Sequence, residues 1–104
     1  MNVKISKEFE KSAKKLSGKY KESLKNVILE IRAAQSVSDI VNCKELIGYN
    51  SVYRIRMGDY RMFFLLEIAE QTVFLKYLVR RGEAYNKEYQ KKLKHNDKEG
   101  FWEL

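Results

Sequence analysis

Residues 52–66 read VYRIRMGDYRMFFLL, and this stretch decides the fold. Two runs rich in β-branched and aromatic residues flank Gly58-Asp59, and glycine at the first turn position suits the mirror-image turns that match the twist of paired strands. A two-residue loop fixes the register of a β-hairpin. Met57 then faces Tyr60, Ile55 faces Met62 and Tyr53 faces Phe64, an apolar and aromatic set that makes the core face. The opposite face pairs Arg56 with Arg61 and Arg54 with Phe63. Three arginines converge there, although like charges directly opposite on a sheet destabilise it, on the ~0.2–1 kcal/mol scale of cross-strand pairs. For a single Arg-x-Arg, a solvated face whose arginines pair with carboxylates elsewhere is the simpler reading. The third arginine points to a polyanion, because guanidinium forks match phosphate oxygens.

The chain has 104 residues, 44% of them hydrophobic, which suits one compact domain. Its 21 Lys+Arg against 14 Asp+Glu give a formal net charge of +7, favouring nucleic acid, an anionic membrane surface or an acidic protein as partner. No apolar run reaches the ~18 residues of a membrane span or makes a signal-peptide core, so a cytoplasmic protein with no membrane partner is expected. One cysteine, Cys43, excludes an internal disulfide, and with one histidine, His95, no Cys/His zinc spacing can be assembled. No metal or cofactor is expected. Cys43 reads as a small buried hydrophobe, and His95, inside KKLKHNDKE, as a solvated side chain.

In chain order, residues 1–5 alternate as a short strand with Val3 and Ile5 on one side. Ser6 is the expected N-cap of a first helix carrying Phe9, Ala13 and Leu16, with Ser17-Gly18 as its stop. Tyr20, Leu24, Val27, Ile28 and Ile31 form the stripe of a second helix to about Ala34, antiparallel to the first and covered by the sheet. The lysines on the other faces of these helices read as solvated. Residues 35–50 read as a connection with one helical turn from Asp39 and Leu46 as buried anchor. After the hairpin, Ala69-Glu70 can turn the chain into a third strand over residues 71–80, and an even turn of two residues is favoured over an odd one, which would put the charges of Lys76 and Arg80 on the core side. The even turn puts Arg61 and Phe63 on one face with Lys76, Leu78 and Arg80, so the basic patch spans three strands. A final helix carries Tyr85, Tyr89 and Leu93. The expected organisation is an α+β domain, β-α-α-β-β-β-α, over residues 1–93, followed by a mobile polar tail over 94–104 in which Phe101-Trp102 docks back, meets a partner or does neither.

The order of elements and two motifs resemble the RelE/ParE superfamily of bacterial toxins over residues 3–91. KELIGYNSVYRIRMGDYRMFF resembles the family's Leu-x-Gly, Tyr-Arg-hydrophobic-Arg-x-Gly-Asp-Tyr-Arg signature, and RRGEAY resembles its closing Arg-Arg-x-x-x-Tyr element. The resemblance implies a twisted antiparallel sheet packed on an N-terminal helical hairpin, with a basic concave face. It implies a toxin of a toxin-antitoxin pair that cuts messenger RNA on the ribosome and inhibits translation, using the ribose 2′-hydroxyl to attack the adjacent phosphodiester. Arg54 and Arg56 would hold the RNA backbone, joined by Lys76 and Arg80 if the patch spans three strands. Arg61 would stabilise charge on the phosphoryl oxygens, Arg81 would assist the leaving 5′-oxygen, and Tyr85 would orient or deprotonate the 2′-hydroxyl.

Arginine cannot act as a ground-state base, and a tyrosine with a pKa of about 10 is a poor one near neutral pH. Crowding by arginines favours phenolate, and otherwise catalysis rests on alignment and charge stabilisation. Glu83 is a second acid-base candidate, set against a plain role in the first turn of the final helix. The ParE branch of the superfamily shares the fold, inhibits DNA gyrase and cleaves no RNA, which is the main alternative. A degenerate relative that only binds RNA is a third. Every reading within the family implies a cognate antitoxin whose acidic or amphipathic segment neutralises the basic face.

Overall fold

The structure is a computed structural model that describes residues 1–99. A five-stranded sheet runs in the order β1-β5-β4-β3-β2, with β1 Asn2–Ile5, β2 Cys43–Glu45, β3 Val52–Met57, β4 Tyr60–Glu67 and β5 Thr72–Arg80. The helices are α1 Lys7–Lys14, α2 Gly18–Ala33 and α3 Lys87–Glu99. The class is α+β as expected, with two departures. The sheet is mixed, because β1 pairs parallel to β5, and a short edge strand, β2, precedes the hairpin. Neither pairing follows from the local pattern, since β1 joins a segment far along the chain and β2 is only 3 residues long.

The hairpin register is the expected one at all five pairs read from the turn, from Met57 with Tyr60 to Tyr53 with Phe64. Gly58 has φ +57 and Asp59 stays out of the positive region, the pattern of a type II′ turn. Tyr20 of α2 lies against this turn, its ring 4.8 Å from that of Tyr60 and its hydroxyl accepting from the Asp59 N–H at 3.3 Å. The ends of β3 and β4 are therefore braced by the second helix.

Ser6 caps α1 by accepting from the Phe9 N–H at 3.0 Å. Phe9, Leu16, Leu24 and Ile31 bury the helical pair on Ile55, Met57, Met62, Phe64 and Leu75. Gly18 is not the expected left-handed stop. Helix α1 has already ended at Lys15, where the N–H groups of Lys15 and Leu16 bond back to Ser12 and Ala13, and Gly18 opens α2 instead. Of the two β1 residues expected to face inward, Val3 packs on the core while Ile5 is exposed.

Helix α3 covers the other face of the sheet. Ala84, Tyr89 and Leu93 pack with Val52, Phe63, Leu65, Phe74, Tyr77 and Val79, so the domain has three layers. Asn86 fixes where α3 begins, its side-chain oxygen accepting from the Tyr89 N–H at 3.0 Å. Tyr85 is thereby left outside the helix and its packing stripe. The helix also crosses the expected boundary at residue 93: Asn96 is buried and donates to the Tyr77 hydroxyl at 2.8 Å, and Asp97 accepts from the N–H groups of Asn50 and Ser51. Asn96 and Asp97 thus pack into the domain, beyond the expected boundary. The Phe101-Trp102 pair lies outside the described residues.

Candidate nucleic-acid interface

The path of β5 decides which cations meet. Its pairing with β4 starts as the even turn predicts, Glu67 with Thr72 through Phe64 with Leu75, although the turn itself spans residues 68–71 with Gln71 at φ +47. Between Phe63 and Phe64 the register then shifts by one residue, so Phe63 faces Tyr77, Arg61 faces Val79 and Tyr60 faces Arg80. This bulge at Lys76 exchanges the faces of every residue beyond it. Leu78 enters the core beneath α1 and α2, and Arg80 leaves the arginine face to lie over the Tyr60 ring, 5.5 Å from its centroid.

Two expected members of the RNA-binding patch therefore fall elsewhere. Lys76 is buried beside α3, its Nζ 4.4 Å from the centroid of Phe74. Arg80 stands on the opposite side of the sheet end. The patch does not span three strands.

The other five expected residues come together. Arg54 Nη1 donates to the Tyr85 hydroxyl at 3.3 Å, and the Tyr85 ring meets Phe63 edge to face at 6.2 Å. Arg61 is 6% exposed, and its Nη1 donates to the carbonyls of Gly58 at 2.8 Å and Tyr60 at 2.9 Å. Burial lowers its pKa, and the positive charges of Arg56, Arg54 and Arg81 lower it further while Tyr85 opposes them. Arg81 is held where β5 ends by its own N–H, which donates to the Asp59 carbonyl at 2.7 Å. Among the described residues none of these four arginines pairs with a carboxylate; the ion pairs join Lys14 with Glu10 and Lys92 with Glu8 and Glu88.

One atom in the cluster is conspicuous. The Arg54 Nε is buried and lacks a hydrogen-bond partner, a deficit worth roughly 1–3 kcal/mol for a buried donor.

Sequence reasoning missed Lys44. Strand β2 sets it directly opposite Arg54, so it shares the arginine face as a further exposed cation. The signal was the alternation of Cys43, half-buried opposite Ile55, with Lys44, though three residues are too few to mark a strand. Glu83 lies apart, beside Arg80 and Tyr89. No group of three or more His, Cys, Asp or Glu among the described residues is arranged to hold a metal ion.

No family model matches the chain. Over 87 residues it is 30% identical to the toxin RelE3 of Methanocaldococcus jannaschii, a match covering 83% of this chain and 97% of that protein. Among solved structures it resembles a RelB-RelE antitoxin-toxin complex from Methanococcus jannaschii, with TM-score 0.70, 26% identity and 84% of this chain against 98% of the other. It shares the fold of an archaeal RelE-RelB complex from Pyrococcus horikoshii, with TM-score 0.68, 22% identity and coverage of 80% and 97%.

Proposed function

The chain belongs to the RelE family of toxins, and we propose on that footing that it is an endoribonuclease that inhibits translation by cutting messenger RNA on the ribosome. The observation that carries this reading is the gathering of Arg54, Arg56 and Arg81 around Arg61, with Tyr85 bonded to Arg54 and, among the described residues, no ion pair to a carboxylate at any of the four. Arrangements built only for stability do not collect like charges around a partly buried guanidinium.

In the proposed reaction the ribose 2′-oxygen attacks the adjacent phosphorus and the bond to the 5′-oxygen breaks. The products are a 2′,3′-cyclic phosphate and a 5′-hydroxyl end. Arg54 and Arg56 bind the backbone through their guanidinium N–H groups. Arg61, already fixed by the carbonyls of Gly58 and Tyr60, offers its remaining N–H groups to the phosphoryl oxygens as charge builds on them. Tyr85 orients the 2′-hydroxyl and, as the phenolate held by the Arg54 guanidinium, takes its proton. Arg81 stabilises the departing 5′-oxygen, which draws a proton from water, since arginine does not surrender one.

The same reading gives the chain a cognate antitoxin. Its support is the formal net charge of +7 together with the antitoxin-toxin complex among the similar structures. An acidic segment laid across Arg54, Arg56, Arg61 and Arg81 would occupy the RNA site and block it.

The test is expression of wild type, Arg61→Ala and Tyr85→Phe, with primer extension on cellular messages. New 5′ ends are expected within coding sequences for wild type and their loss in both variants. Growth arrest with intact transcripts overturns the ribonuclease reading and makes DNA gyrase the target to assay.

A further inference from the structure

The bulge that removes Arg80 from the cluster delivers it to a second cleft. Tyr60 and Arg61 are neighbours on one strand and point to opposite faces, and the cleft opens at the end of β5 between Tyr60 on one face and Tyr89 of α3 on the other, beside the arginine cluster. That end is closed by the bond from the Arg81 N–H to the Asp59 carbonyl. The cleft has a volume of about 340 Å³ and is lined by Ser12 and Lys15 of α1, Tyr60 and Arg80 of the sheet, and Glu83 and Tyr89 on the approach to and first turn of α3. Among the described residues neither Lys15 nor Arg80 is in an ion pair.

The composition of the cleft selects its ligand. Aromatic rings beside cations make the platform on which single-stranded nucleic acid rests, bases against rings and phosphates against the charges. The volume is at the lower end of small-ligand cavities, room for one nucleotide rather than several. Glu83 discriminates further. A carboxylate repels an acidic peptide or a second phosphate, but it accepts a hydrogen bond from the amino group on a base edge. Burial first and the Glu83 charge second push the Tyr89 phenol above its ordinary pKa.

We propose that this cleft is a subsite for a nucleotide flanking the cleaved bond, holding its phosphate with Arg80 and Lys15 and its base against Tyr89, while Arg80 itself covers the Tyr60 ring, with Glu83 favouring a base that bears an amino group over uracil. A single strand that leaves the arginine cluster and rounds the end of the sheet passes from one site into the other. The assignment rests on the ribonuclease reading above, and it makes Arg80 and Glu83 determinants of where the RNA is cut.

The experiment has two readouts, fluorescence titration of the purified protein with short labelled RNAs and mapping of cleavage positions in cells. Arg80→Ala is expected to weaken a tetranucleotide about tenfold and leave a dinucleotide unchanged, the loss of one stacked and phosphate-bound unit. Glu83→Gln should abolish the preference of wild type for a flanking cytosine over uracil and spread the cleavage positions. Both residues are exposed, and matching circular dichroism spectra confirm that the variants fold. Unchanged tetranucleotide affinity and an unchanged cleavage pattern in both variants overturn the subsite and leave the ribonuclease reading standing. Wild type that binds the tetranucleotide through Arg80 yet cuts no transcript overturns the ribonuclease reading and, with it, a role in placing the cut.

Discussion

The Arg54 guanidinium on β3 donates through Nη1 to the hydroxyl of Tyr85, 3.3 Å away and 31 residues later in the chain. That bond joins the two motifs, the hairpin and the segment after β5, into one site. Tyr85 is 55% exposed and lies outside α3, so its hydroxyl does little for the fold. Tyr85→Phe should lower RNA cleavage by about 10²–10⁴-fold, the range for a positioned acid-base group, while stability stays within ~0.5 kcal/mol. Cleavage assays beside thermal unfolding separate the two. A variant that loses stability and activity in parallel would show the tyrosine to be structural.

Arg61 should behave differently, because it serves both fold and site. Arg61→Ala strands the Gly58 and Tyr60 carbonyls at the turn, at about 1–3 kcal/mol, partly offset by relief of repulsion from Arg56, Arg54 and Arg81. A fall of several degrees in Tm is expected together with loss of cleavage. Arg61→Lys keeps the charge but not the fork, and should recover less activity than stability.

The hairpin turn tolerates little. Gly58 has φ +57, and a Cβ there would come within 3.0 Å of the Tyr20 ring. Gly58→Ala should destabilise by about 1–3 kcal/mol, read as a lower urea midpoint with the slope unchanged. An unaffected midpoint would mean that the turn and Tyr20 move freely together.

Much of this was legible in the chain, and the failures are local. Turn length and alternation fixed the hairpin register and separated Ile55 and Met62 from Arg56 and Arg61. The bulge at Lys76 left no mark on the pattern of residues 71–80, and it alone decides that Arg80 and Leu78 sit with the helices while Val79 faces Arg61. Tyr85 looked like the first member of a stripe with Tyr89 and Leu93 until the Asn86 cap started the helix beyond it. The parallel pairing of β1 with β5 joins residues about 70 positions apart, which no local periodicity encodes.

Cys43 offers a test of burial by pH. Desolvation pushes its thiol up to about 11 from 9.0, outweighing the Arg54 charge that lowers it. A folded pKa above the unfolded one means that the neutral thiol contributes stability below pH 9, and that this is lost as pH rises from 9 towards 11. Alkylation by iodoacetamide at pH 8 should be slow in the folded protein and fast in urea, followed by mass spectrometry. Equal rates would place the thiol in water.

The central claim is that Arg54, Arg56, Arg61, Arg81 and Tyr85 direct a ribose 2′-hydroxyl onto its own phosphodiester. The most direct measurement supplies ribosomes with a synthetic message and replaces the ribose on the 5′ side of the cut with its 2′-deoxy form. Cleavage should stop at that bond alone, and the unmodified message should yield a 2′,3′-cyclic phosphate. Cleavage that persists at the deoxy position, or an unmodified message left intact, would contradict the account.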